Sequence, residues 1–532
     1  MPKNPSIGLY LCSLLPFLLI PAHATPTQTS RELYLQTVLQ IQQQIEQHDL
    51  VQARSLIESA RAKFPADGGI ENLLGVVEIQ QGHSDAAMQA FASAIQRDPK
   101  LTAAYLNLAR VYMQTAATDK AKRESALHLY EKLLRIEPDN PEANYQTATL
   151  LMWDGSHQRS LDHLAKLPAD TRSQVGTQIL VCADEAALGH RQEADDAASA
   201  LAANPDLTEQ DALEVLPSLR AAHRADLIEE VFAAANARNP LSIDALRTLG
   251  LAQEANGKLE QARGTLEKVF SENTSSVTPL IDLARVAKAA GDYQGALGYL
   301  AHARDLTPKD PSLSYEFGVI CLKLELLGES RKAMQEAVQL APDNPEYNLG
   351  MGIVSSFAQD PSGALPYLEK AHTLRPTDPI PVLALGSTYF RAKNFDAAGK
   401  WLTQAATMEN TAAEAHFYLG RIALQEGRLE DAAKELSQSD KLMPDRPDTL
   451  AELGQVSLAR KQYAEAQKFL YRSIVLDNEN YLANFALLQL YARTGDPRRA
   501  EQSRRFDEIK DQNEEQYKQM MRIIGIQRTS QK

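Results

Sequence analysis

Three cysteines in 532 residues leave little scope for disulfide scaffolding. Cys12 lies in an apolar N-terminal run, so Cys182 and Cys321 alone remain for the body of the chain. They read as small core residues, and the fold needs no bridge. Basic excess is missing too. Fifty-five Lys and Arg stand against sixty-nine Asp and Glu, a net charge of −14. That excludes a general nucleic-acid or anionic-membrane binder, because phosphate binding needs cations in excess. The chain also lacks HExxH, GxSxG, P-loop, dinucleotide and CxxC patterns, so no known catalytic or cofactor motif is present. His157 and His163, with Asp154 and Asp162, form the densest His/Asp cluster. No third His lies nearby, and the group reads as a solvated turn rather than a metal site. Beyond residue 24 no long apolar run occurs, so nothing there should span a membrane.

What is present is a period. Pro379 to Ala412 places Leu385, Gly386 and Tyr389 on one helical face, then Ala398, Leu402 and Ala405 at spacings of four and three after Asn394. Such spacing aligns side chains on a helix and not on a strand. Shifting by 34 residues gives Leu419, Gly420, Ala432 and Leu436, then Leu453, Gly454, Ala466 and Leu470. Shifting backwards gives Phe317, Gly318, Ser330, Met334 and Pro342, and before them Leu283, Ala284, Ala296, Leu300 and Pro308. Small residues at the eighth and twentieth places, with Pro near the thirty-second, make the chain resemble the tetratricopeptide repeat family. Fourteen units fit between Tyr34 and Glu514.

The resemblance implies an all-α fold, an α-solenoid wound as a right-handed superhelix of about fourteen helix-turn-helix repeats. Residues 34–140 form the N-terminal repeats. The third unit carries five extra residues within Thr115 to Glu124, which either lengthen the turn or extend the helix ends. Residues 141–242 are degenerate. Arg172 stands where Pro is usual, Leu216 and Ile228 take small places, and Pro217 falls inside an expected helix, which it should kink or end. This middle is a hinge, a pocket or a local irregularity. Residues 243–514 are regular and end in a cap. Residues 515–532 form a basic helix or tail with an apolar side, through Met520, Met521, Ile523, Ile524 and Ile526.

The first 24 residues read as a signal peptide. Lys3 precedes an apolar run from Ile7 to Ile20, and Ala22-His23-Ala24 supplies a small-x-small cleavage pattern after Ala24. The expected location is therefore the periplasm or cell envelope of a bacterium, or outside the cell. A retained anchor is the rival reading.

In the family, the second, fifth, ninth and twelfth places of the first helix contact ligand. Carried onto this chain, those places select Tyr315, Val319, Leu322, Leu349, Ile353, Leu383, Phe390, Phe417 and Leu424, with Arg285 and Arg421 as positive points. An apolar peptide-binding groove is one reading of these residues. Packing between adjacent repeats is the other. The family's clamp for a C-terminal carboxylate, Lys at the fifth place with Asn at the ninth, occurs in no unit. The expected function is a non-catalytic, cofactor-free and metal-free scaffold for a partner protein or peptide. The alternative is a component of an envelope complex for polysaccharide export or assembly.

Overall fold

The computed structural model describes residues 28–512, all of them in helices and turns. They divide into two compact units that meet in sequence at Glu272 and Asn273. The expected signal peptide and the 515–532 tail lie outside the described residues.

The first unit contains α1 (Gln28–Glu46), α2 (Leu50–Lys63), α3 (Gly68–Gln80), α4 (Ser84–Arg97), α5 (Thr102–Ala116), α6 (Lys120–Ile136), α7 (Pro141–Trp153) and α8 (His157–Leu164). It continues with α9 (Ala169–Arg172), α10 (Val175–Leu188), α11 (Arg191–Ala203), α12 (Glu209–Ala221), α13 (Ala225–Arg238), α14 (Ile243–Ala255) and α15 (Leu259–Glu272). The second contains α16 (Val277–Ala289), α17 (Tyr293–Leu306), α18 (Pro311–Lys323), α19 (Leu327–Leu340), α20 (Pro345–Phe357), α21 (Pro361–Leu374) and α22 (Pro379–Arg391). After these come α23 (Phe395–Ala405), α24 (Ala412–Gln425), α25 (Leu429–Leu442), α26 (Pro447–Ala459), α27 (Tyr463–Leu476) and α28 (Tyr481–Thr494). A further helical stretch covers 499–512.

Local chemistry sets each repeat's start. Asp310, Asn344 and Asp378 cap the first helix of three successive units by accepting from its first free amides. Proline then occupies the first turn, where its missing N–H costs nothing. The turn to the second helix is equally regular. Its residue is left-handed in every repeat except the third, through seven glycines and six other residues: His48, His223, Glu325, Gln359, Lys393 and Lys461. A side chain is strained there by ~1–2 kcal/mol. Lys393→Gly should therefore raise the stability of the second unit by about 1 kcal/mol, read as a higher denaturation midpoint at unchanged slope. An unchanged or lower midpoint contradicts this.

Close helix approach follows from the eighth place. A Cβ added at Gly250, Gly386 or Gly420 would sit within 3 Å of Leu266, Leu402 or Leu436, each sixteen residues on. These leucines are fully buried. The missing side chain is what lets the two helices of a repeat close on one leucine.

The middle of the first unit departs from this pattern, but not at Pro217, where the sequence leads one to expect a break. Helix α12 runs unbroken through Pro217. The proline lies on the exposed side, so the carbonyl it leaves unpaired can bond to water. The break comes instead one repeat and a half earlier. Helix α8 has eight residues where other second helices have eleven to seventeen, and Pro168 caps the short α9 after it. Leu216 and Ile228 hold α12 and α13 to a looser pairing, while α12 packs on α10 and α13 on α11.

The five extra residues of the third repeat extend helix ends. α5 and α6 have fifteen and seventeen residues. Arg123 ties them together, donating to the carbonyls of Ala116 at 3.1 Å and Ala117 at 3.2 Å and pairing with Asp154 at 2.9 Å. Cys182 and Cys321 are buried and free, and burial pushes both thiols up to about 12. They are poor nucleophiles.

Candidate peptide-binding face

In the second unit, the first helices of successive repeats present half-buried apolar side chains at the places selected from sequence. Tyr315 leans on Tyr347 with ring centroids 5.0 Å apart. Burial, then Glu346 and Glu316, push its hydroxyl above the ordinary tyrosine value. Val319 and Leu322 rest on Met334, Met351 and Val354. Leu349 lies against Leu368 and Leu385. Ile353, Leu383 and Leu424 are half-buried as well. Each thus gives one side to its repeat and keeps one side accessible.

Phe390 and Phe417 are placed otherwise. They are 8% and 6% exposed and lie between repeats. The Arg421 guanidinium lies over both rings, 4.9 Å from the first and 5.5 Å from the second. Arg446 covers Phe417 from 5.0 Å and pairs with Glu414. Tyr418 closes the cluster, 5.3 Å from Phe390 and 5.5 Å from Phe417. Arg421 is not a loose positive point either: its Nε lies 2.9 Å from Oε1 of buried Glu452. Burial pushes the Glu452 carboxyl up, and Arg421 pulls it back down. Arg285 is exposed, and its Nη2 lies 3.1 Å from Asp282 Oδ1.

Three apolar residues of the same helices are more open than the ones selected from sequence. Ile281 sits at a fifth place and Ile380 at a second, where the family's contact places point directly. Phe357, 49% exposed, sits at a thirteenth place just outside them, with Arg391 4.6 Å above its ring. Only the exposed face of the folded helix could single it out. The corresponding face of the first unit differs. Asn107 donates to Asn72 at 3.0 Å, and Arg110 bonds Glu142, so polar pairs stand where the second unit is apolar.

Chemistry is sparse. Among the described residues no group of three His, Cys, Asp or Glu could hold a metal ion, and no helix is long and apolar enough to cross a membrane.

Comparison with known families agrees with the repeat architecture. Models of the tetratricopeptide repeat match residues 78–124, 281–345 and 383–447. The chain is a tetratricopeptide-repeat protein. Human tetratricopeptide repeat protein 13 is 29% identical over 120 residues, 22% of this chain and 14% of that protein. Cellulose synthase operon protein C of Pseudomonas fluorescens is 28% identical over 159 residues, 29% of this chain and 12% of that protein. This tetratricopeptide-repeat protein thus matches about an eighth of each curated relative's length. Among solved structures, yeast Tom70 is similar over 85% of this chain and 92% of its own, at 16% identity and a TM-score of 0.39. Tetratricopeptide-repeat proteins bind protein partners, and these repeats suggest an interaction scaffold.

Proposed function

We propose that the second unit binds a partner protein along its apolar first-helix face, as a non-catalytic scaffold. The observation that carries this reading is the run of accessible apolar side chains through Ile281, Tyr315, Val319, Ile353, Phe357, Ile380 and Leu383. Isolated exposed leucines need no explanation, but accessible apolar side chains recurring on the first helices of four successive repeats do. Its occupant is an extended or helical segment with regularly spaced apolar anchors. The protein acts after export, in a bacterial cell envelope, which the N-terminal apolar run and Ala22-His23-Ala24 support.

A second reading places the scaffold in an envelope complex for polysaccharide export or assembly. The likeness to a cellulose synthase operon protein favours it. Capture of partners from the envelope fraction separates the two, since the second requires polysaccharide-synthesis or export proteins among them.

The binding face is tested at exposed positions, where the fold survives substitution. Ile380→Asp and Phe357→Ala should each weaken the captured partner by ~2 kcal/mol, roughly thirtyfold, with unchanged helix content. Lys400→Ala and Lys434→Ala, on exposed parts of second helices, should bind as the parent does. Equal affinity for all four variants contradicts the proposal.

A further inference from the structure

Where two first helices of the second unit end, a cation stands without a partner among the described residues. Arg391, the last residue of α22, lies 4.6 Å above the ring of Phe357, the last residue of α20. Both side chains are exposed, and the guanidinium has no ion pair and no hydrogen bond among the described residues. Arg304, Arg421, Arg446 and Arg498 also lie over aromatic rings, and each is paired with a carboxylate: Glu336, Glu452, Glu414 and Asp496 in turn. A closer parallel stands in the first unit. Trp153 ends α7 as Phe357 ends α20, and Arg123 lies 5.9 Å from its ring centroid. There Asp154, the next residue, takes the arginine at 2.9 Å. The residue after Phe357 is Ala358. Lys323, which ends α18, holds the same place one repeat earlier, and it too is exposed with no acid partner among the described residues.

We propose that Arg391, stacked on Phe357, receives an acidic side chain of the bound partner, so that the segment on the first-helix face is acidic as well as apolar. This rests on the binding face proposed above and adds the charge of its occupant.

Spacing joins this edge to the apolar places. Tyr315, Val319 and Lys323 on α18 are four residues apart, as are Leu349, Ile353 and Phe357 on α20 and Leu383, Ser387 and Arg391 on α22. Residues four apart share a helix face. A partner held at the apolar places therefore has the two cations at one end of the same faces. The helix dipole favours a cation at a C-terminus. It gives no reason for an exposed phenylalanine beneath the cation. The ring holds the guanidinium flat, and its planar fork is left free to take a carboxylate through two parallel hydrogen bonds. An apolar neighbour of that carboxylate would cover Phe357 and keep water from the pair, which strengthens it. The chain as a whole works against such a ligand, because a net charge of −14 draws basic peptides and repels acidic ones. A preference for acid would thus mark a local cation.

The test is selection of a random peptide library displayed on phage against the immobilised chain. The parent should enrich peptides that combine apolar residues with Asp or Glu. Arg391→Gln should keep the apolar preference and lose the acidic one, and Arg391→Lys should keep both. Ala358→Asp, which supplies the acid that Asp154 supplies to Arg123, should also lose the acidic preference. One enriched peptide, titrated by itself, should bind Arg391→Gln about fivefold more weakly than the parent. Its acid-to-amide copy should lose as much against the parent and nothing further against the variant. Apolar preference without acid, or acidic preference that survives Arg391→Gln, overturns the charged anchor and leaves the apolar face standing. A library from which the parent enriches nothing, or peptides that bind Ile380→Asp as tightly as the parent, overturns both.

Discussion

Phe417→Ala should lower the stability of the second unit by ~3–5 kcal/mol, and Phe390→Ala by a similar amount. Each ring is nearly buried, so its removal leaves a cavity between repeats rather than a vacant binding site. The loss does not stop at the ring. Arg421 lies over both phenylalanines and reaches Glu452, so either truncation removes one wall from a half-buried cation and loosens its hold on a buried carboxylate. Breaking a buried pair in this way adds to the cavity cost. Denaturant titration of the purified chain checks it. Because repeats can unfold in part, the midpoint should be read from a probe confined to the second unit. A shift under 1 kcal/mol with impaired partner binding would return both residues to the groove.

Gly386→Ala should cost ~1–3 kcal/mol, although alanine is the better helix former. The added Cβ meets the Leu402 side chain at 2.7 Å and its backbone nitrogen at 3.2 Å, and Leu402 is fully buried. Ala148 and Ala284 hold the same place elsewhere, so the cost belongs to the closeness of α22 and α23 and not to alanine as such. Gly399, in α23 of the same repeat, is the control. Nothing lies within 4 Å of its missing Cβ, so Gly399→Ala should stabilise by ~0.4–1 kcal/mol. Thermal melts of the two variants should move in opposite directions. Parallel shifts contradict the packing account.

The repeat was legible because it rests on short-range rules. The apolar spacing around Leu385 and Gly386 sets the phase, and the boundaries it gives at Pro141, Ile243 and Pro379 are observed helix starts. Side chains whose fate depends on the next repeat were harder to place. Phe390 and Phe417 occupy contact places by counting, but Tyr418, Arg421 and Arg446 cover them. The expected break at Pro217 was misplaced. Pro217 drew attention because it sits inside a helix, where an exposed carbonyl can turn to water. Pro168 stands near the end of a helix, where truncation costs fewer bonds, and there the chain gave way. The His157 and His163 cluster read as a solvated turn. Its partners, Asp184 and Asn144, are 27 and 19 residues away and came into view only with the fold.

The central claim is that the apolar first-helix face of the second unit carries the partner. A photo-crosslinking side chain placed at Ile380, and separately at Lys400 on the adjoining second helix, tests it most directly in the producing cell. The account predicts a discrete protein adduct from position 380 and none from position 400. An adduct from position 400 alone, or equal adducts from both, would contradict it.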